Sequence, residues 1–231
     1  MYFDPTYVLV LAGVVLSLIA SAKVNSTFSK YSRVFNSRGI TGAQAAEMVL
    51  RSAGIYDVRI ERVSGNLTDH YDPRSKVLRL SDTVYGQSSV AAVGVAAHEC
   101  GHAIQHARGY APLKLRSTLV PIANFGSKIA WPLIIFGLFI SGESSALLIN
   151  AGIIAFLAAV LFQLITLPVE FNASNRAIQM IVSGGVMYGE EVKGARKVLN
   201  AAAMTYVASA ATAILQLLRI LLLTGGRRRN D

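Results

Sequence analysis

The chain has 231 residues, 53% of them hydrophobic and only 15% charged, with a mean hydropathy of +0.46. A soluble domain carries about 25% charge, so several segments are expected to sit in lipid. The net charge of +9, from 22 Lys and Arg against 13 Asp and Glu, lies between lipid-length apolar runs. That pattern fits the basic excess of cytoplasmic loops and argues against nucleic-acid binding. A single cysteine, Cys100, excludes an intrachain disulfide.

A membrane helix needs about 20 mostly apolar residues. The first such run, Tyr7 to Ala22, makes residues 1–22 an N-terminal anchor. Its end, Ala20-Ser21-Ala22, resembles a signal-peptidase site. However, Asp4 and the lack of Lys or Arg before the run give the wrong charge for a signal peptide, so retention is expected. Leu119 to Ile140 is a second run, weakened by Asn124, Lys128 and Pro132, and Ala146 to Leu167 is a third with no formal charge. Ser141-Gly142-Glu143-Ser144-Ser145 reads as a tight turn between them, so 119–167 forms a two-helix membrane hairpin. The fourth run, Ala201 to Thr224 within a 201–231 tail, is interrupted by Gln216 and Arg219. It either spans or packs against the other helices.

Lys23, Lys30, Arg33 and Arg38 follow the first run, Arg108, Lys114 and Arg116 precede the second, and Arg176, Lys193, Arg196 and Lys197 follow the third. The 141–145 turn has no Lys or Arg. The start is therefore expected outside, with residues 23–118 and 170–200 in the cytoplasm. Arg227-Arg228-Arg229 disagrees if the fourth run spans.

Residues 23–118 contain a polar region with the patterns of a small α+β domain. Thr41 to Ser52 has helical spacing, with Thr41 as N-cap and Gly54 as stop. Val58 to Val63 and Lys76 to Leu80 alternate at the strand period, separated by a turn-rich stretch around Asp72-Pro73-Arg74-Ser75. Ser88 to Arg108 reads as one long helix.

That helix carries His98-Glu99-Cys100-Gly101-His102, the form H-E-x-x-H. Residues four apart share a helix face, so both imidazoles can reach one metal. Glu99 sits about 100° around the helix, where it can approach a metal-activated water as a general base. Gly94, Ala97, Gly101 and Ala103 make the helix slim enough to approach other backbone closely. A catalytic zinc takes three protein ligands and keeps one position open. The metzincin continuation needs Gly at 105 and His at 108, but this chain has Gln105 and Arg108. His106 lies on the same helix, and three ligands in a row there do not converge on a tetrahedron. The gluzincin alternative draws a glutamate from a later helix. Glu170 suits it, being on the same expected side as His98, with Pro168 before it suiting a helix start or kink. Glu190 and Glu191 are rivals, and Glu143 falls on the other face of the membrane. His70 or Tyr71, in Asp69-His70-Tyr71-Asp72-Pro73, could donate to a tetrahedral oxyanion.

The residues from Thr41 to Leu50 and from Asp57 to His106, followed by the block Pro168 to Ala177 (PVEFNASNRA), resemble the YugP-type family of bacterial membrane zinc metallopeptidases. The resemblance covers about residues 38–200. It implies a zinc-dependent neutral peptidase in a bacterial plasma membrane, acting on a peptide or protein substrate, membrane proteins included. It is compatible with a homo-oligomer or a regulatory membrane partner. The wider similarity is to HtpX-type membrane peptidases, whose E-x-x-A-D block completes the site. Glu170 and Ala173 match that block, whereas Ser174 replaces its aspartate. The acid that would orient a histidine is then missing or comes from elsewhere, with Asn175 and Asp69 as sources.

The expectation is thus a mainly α integral membrane protein, with about four transmembrane helices carrying a small zincin-like α+β domain. Zinc would sit on His98, His102 and Glu170, with residues 168–200 supplying the second catalytic block. A non-catalytic membrane scaffold with a structural metal, or a zinc carrier or sensor, are the rival readings. The scaffold does not need Glu99, and against a carrier only Lys128 and Arg219 approach mid-membrane ionisable positions.

Overall fold

A computed structural model gives the fold of residues 4–225; Arg227-Arg228-Arg229 lies outside the described residues. The elements run α1 (Tyr7–Tyr31), α2 (Gly42–Ser52), β1 (Arg59–Val63), β2 (His70–Asp72), β3 (Val77–Ser81), α3 (Val90–Ala107), α4 (Ala111–Phe139), α5 (Glu143–Ser183) and α6 (Gly189–Gly225). Four helices, α1, α4, α5 and α6, are long and apolar enough to cross a membrane. Three of them greatly outrun the apolar segments read from sequence. The apolar run marks where lipid would lie, but backbone hydrogen bonding continues wherever an amphipathic face still finds a core. Pro168 is one consequence. Of the two expected roles, helix start or kink, the start is excluded: Pro168 lies inside α5, where it forgoes the bond to the carbonyl four residues back and its ring crowds that carbonyl.

The chain divides into two compact units. One comprises the chain through Ile19, Lys114–Leu167 and the chain from Thr205 onward. In it α1 and α6 run antiparallel. Thr212 donates to the Gly13 carbonyl at 3.2 Å and lies 3.4 Å from the Ser17 hydroxyl. Near the other end, Arg219 reaches Asp4 at 3.4 Å and Thr6 at 3.2 Å, with its guanidinium 4.5 Å over the Tyr7 ring. The end of α6 therefore lies beside the start of α1, and the fourth apolar segment pairs with α1 along its length. Arg219, which breaks the apolar pattern, carries its own counter-charge. Between α4 and α5, Gly126 faces the Ala155 carbonyl and Gly152 the Ala130 carbonyl, the small-residue packing expected where lipid supplies no hydrophobic drive. The turn joining them uses Gly142 at φ +83°, and the Ser145 hydroxyl donates to the Gly137 carbonyl at 2.6 Å.

The other unit, Ala20–Leu113 with Pro168–Met204, holds a three-stranded sheet in the order β1-β3-β2. β3 is central, parallel to β1 (Arg59↔Val77) and antiparallel to β2 (Tyr71↔Leu78). The strand β2 is an addition to the two read from sequence. Three residues between Asp69 and an Asp-Pro turn are too short to show a period. α2 and α3 pack with the sheet around Val49, Leu78, Leu80, Val93, Ala97 and Cys100, all fully or nearly fully buried. Thr41 caps α2 in a reciprocal box with Gln44, and Gly54, at φ +74°, follows its end. Ser89 caps α3 by accepting from the Ala92 N–H at 3.2 Å.

One glycine of α3 sets how closely α5 approaches. A Cβ on Gly101 would collide with the backbone carbonyl of Ala173 in α5, whereas one on Gly94 would make only ordinary van der Waals contact with Ala195 of α6. The obstacle at Gly101 is backbone, so it cannot turn aside. Gly101→Ala is expected to cost about 1–3 kcal/mol by overpacking and to lower zinc retention with it. Thermal unfolding and metal content of the purified variant check this; a variant with wild-type values of both would show that the approach is not required.

Candidate metal centre

The N-cap at Ser89 fixes the register of α3, and the 3.6-residue repeat then puts His98 and His102 on one face. Their rings meet edge to face with centroids 4.8 Å apart. α5 brings Glu170, 2% exposed, against that face. Its Oε2 lies 3.3 Å from His98 Nε2 and 3.5 Å from His102 Nε2. The three ligand atoms all fall within 4.8 Å of one another. Ligands about 2.0–2.1 Å from a tetrahedral zinc are ~3.4 Å apart, so the donor set and its spacing fit zinc with little rearrangement. Two imidazoles and a carboxylate also match the three-ligand pattern that keeps one position open.

Both imidazoles are held from behind. Gln105 is fully buried, and its Nε2 donates to the Val169 carbonyl at 2.8 Å and to Asn172 Oδ1 at 3.0 Å. Arg176 donates to the same Asn172 oxygen at 2.7 Å. These bonds leave Gln105 Oε1 as the acceptor facing His102 Nδ1 at 3.0 Å. The proton of His102 is thereby assigned to Nδ1, and the Nε2 lone pair is freed for metal. His98 Nδ1 lies 3.1 Å from the Ser174 hydroxyl. The substituted residue itself therefore partners the histidine. Neither Asn175 nor Asp69 does: the Asp69 carboxylate accepts from the Ser81 N–H and hydroxyl at 2.7 and 2.9 Å. Gln105 was visible in sequence only as a departure from the metzincin pattern. Its spacing of three from His102 is the signal that could have exposed its role.

Glu99 is 9% exposed, and no described residue hydrogen-bonds its carboxylate. Burial opposes charge on His102, yet hydrogen bonding to Glu170 and the nearby Glu99 outweigh it and hold its pKa above the ordinary value. Burial likewise lifts the Asp69 carboxyl, with the Glu99 charge adding to it. Burial raises the Cys100 thiol well above its usual range, again with help from Glu99, which leaves it inert beside the histidines.

The remaining candidates are engaged elsewhere. Glu190 pairs with Lys193 at 2.6 Å, and Glu191 accepts from the Ser37 N–H at 2.7 Å. His106 is exposed and its Nδ1 lies 2.9 Å from the Tyr71 hydroxyl. On the opposite face of β2, His70 has Nδ1 2.9 Å from the Thr68 carbonyl and Nε2 3.5 Å from Arg79. Burial, with Asp57 and Asp72 nearby, pushes the Tyr71 phenol up to about 12, so it stays protonated at neutral pH.

A family described as "Putative neutral zinc metallopeptidase" matches residues 6–225. The chain belongs to that family. It is also 51% identical over 223 residues to the "Putative membrane protease YugP" of Bacillus subtilis (strain 168), covering 96% of this chain and 98% of the relative. No solved structure matches. The match extends the likeness beyond residues 38–200 to the sequence of all four apolar helices.

Removal of Glu170 should separate ligand from bystander. Glu170→Ala is expected to weaken zinc binding substantially, and Gln105→Leu by about 10- to 100-fold as a partner of a ligand. Glu190→Ala and Glu191→Ala should leave it unchanged. Titration with limiting zinc measures all four. Full occupancy in Glu170→Ala would move the third ligand elsewhere.

Proposed function

We propose that the protein is a membrane-bound zinc endopeptidase of gluzincin type, with the metal on His98, His102 and Glu170 and with Glu99 as general base. The carrying observation is the convergence of the three donors at 3.3 and 3.5 Å about one carboxylate oxygen. Bound zinc supplies polarisation of a water and of the scissile carbonyl. Glu99, beside His98 and free of competing hydrogen bonds among the described residues, takes the proton of the attacking water and returns it to the leaving amine. The network from Arg176 through Asn172 and Gln105 keeps His102 in the metal-binding tautomer, so that no proton is misplaced during turnover.

β2 is an edge strand, and Tyr71 ties it to the motif helix through His106. An extended substrate pairing with this edge would lie along α3, since exposed strand edges recruit peptides by main-chain hydrogen bonds. Tyr71, protonated at neutral pH and bonded to His106 one turn beyond His102, is the better supported oxyanion donor of the pair His70 and Tyr71. The basic clusters at 23–38, 108–116 and 176–197 support a site on the cytoplasmic face of a bacterial plasma membrane.

Glu99→Gln should keep zinc and lose peptide cleavage by several orders of magnitude. Loss of metal together with activity would contradict its assignment and favour the scaffold reading. The sidedness is checked by single cysteines at Asn66 and Ser144, which are exposed, against the buried Cys100 background. An impermeant maleimide applied to intact cells should label position 144 and spare position 66; the reverse pattern would invert the topology.

A further inference from the structure

The positive-inside bias accounts for basic residues near a membrane but not for their gathering in one groove. On α1, Lys23, Ser26, Thr27 and Lys30 stand at spacings of three, four and seven, and so form one stripe. On α6, Lys197, Asn200, Ala201 and Met204 repeat the same spacing. The two stripes face each other across a groove of about 470 Å³, closed at one end by Tyr31. This lies within the size range of small-molecule sites, about 300–1,000 Å³.

Lys23, Lys30 and Lys197 are set apart by sharing one concavity. Arg51, Arg62, Lys76, Lys193 and Arg219 each sit within ion-pair distance of a carboxylate. Among the described residues no carboxylate lies within ion-pair distance of Lys23, Lys30 or Lys197, although Glu190 is near enough to feel the Lys197 charge and Lys30 lies 5.6 Å over the Tyr31 ring, and no Asp or Glu lines the groove. Three cations, two hydroxyls and an amide around one concavity make a receptor for a phosphate-bearing anion. The groove is also polarised along its length. Because α1 and α6 are antiparallel, Met204 and Ala201 lie towards Lys23, the first charge after the apolar run Tyr7 to Ala22, whereas Lys30, Tyr31 and Lys197 lie at the far end. An apolar floor at the membrane end with cations beyond it suits an acyl chain joined to an anionic headgroup, and not a free anion.

We propose that this α1–α6 groove is a binding site for one anionic phospholipid, seated with its phosphate among Lys23, Lys30 and Lys197. The site rests on α1 and α6 crossing the membrane and is independent of the zinc chemistry. Basic pockets between membrane helices recognise anionic headgroups in this way.

Native mass spectrometry of the full-length protein in detergent, with added phosphatidylglycerol, phosphatidylcholine or inorganic phosphate, tests it. One phosphatidylglycerol should be retained per chain, with phosphatidylcholine retained about tenfold less, and millimolar inorganic phosphate should not displace it. Combined Lys23→Gln, Lys30→Gln and Lys197→Gln should abolish retention. Removing equal charge at Arg33, Lys114 and Arg116 should not. Asn200→Trp, an exposed position on the groove wall, should also weaken retention with every charge kept, and thermal unfolding checks that each variant folds. Equal retention of both lipids, displacement by inorganic phosphate, equal loss in the control triple, or no effect of Asn200→Trp in a folded variant would each overturn the site.

Discussion

The contact between Gly101 and the backbone of Ala173 governs the metal centre. Gly101 is three residues from His98 and one from His102, and Ala173 is one helical turn from Glu170. Two helices that touch at backbone level necessarily bring together the side chains that flank the contact. On α5 the face that meets α3 carries Glu170, Ala173 and Ser174, and both polar members of that face end on the histidines. A larger residue at either position would widen the separation, and a carboxylate side chain has little length to recover it. The small residues inside and after the H-E-x-x-H motif are thus as much part of the site as the ligands.

The second requirement is direction. A histidine presents one nitrogen to a metal only if its other nitrogen is committed. For His102 the commitment is settled by chemistry, because Arg176 and Asn172 orient Gln105 and leave it only an oxygen to offer. For His98 the partner is a hydroxyl, which can donate as well as accept. A neutral serine also raises the basicity of its imidazole less than an aspartate would. The two histidines are therefore unequally prepared to bind a metal, with His102 the more firmly oriented.

How much of this the sequence disclosed follows from the range of each signal. Helix caps at Thr41 and the slim H-E-x-x-H helix depend on residues within one or two turns, and both were legible. Glu170 was reached through topology and the family's second block, although 72 residues separate it from His98. What escaped notice depends on tertiary context. β2 is too short for a period, and its existence follows from pairing with β3. Gln105 looked like an interruption until α5 supplied its acceptors. Pro168, which in isolation suits either a helix start or a kink, is carried through within α5 because the turns on both sides are held by packing.

The same helix pair handles charge in two ways. Arg219 in α6 meets Asp4, Thr6 and the Tyr7 ring from the start of α1, a set of partners that offsets the cost of placing a guanidinium in an apolar segment. Lys23, Lys30 and Lys197, farther along the same two helices, have no carboxylate within ion-pair distance among the described residues. An ion pair supplied by the protein would stabilise those lysines too, and acidic residues could occupy Ser26, Thr27 or Asn200 at no cost in helix propensity greater than a few tenths of a kcal/mol. Their absence leaves a concentrated positive field at the level where the apolar run of α1 ends. Such a field is unfavourable by itself, since like charges on adjoining stripes repel. It becomes favourable when an anion from outside the chain enters the groove. Along this pair the charge is thus compensated within the chain at Arg219 and left open to an outside anion in the groove.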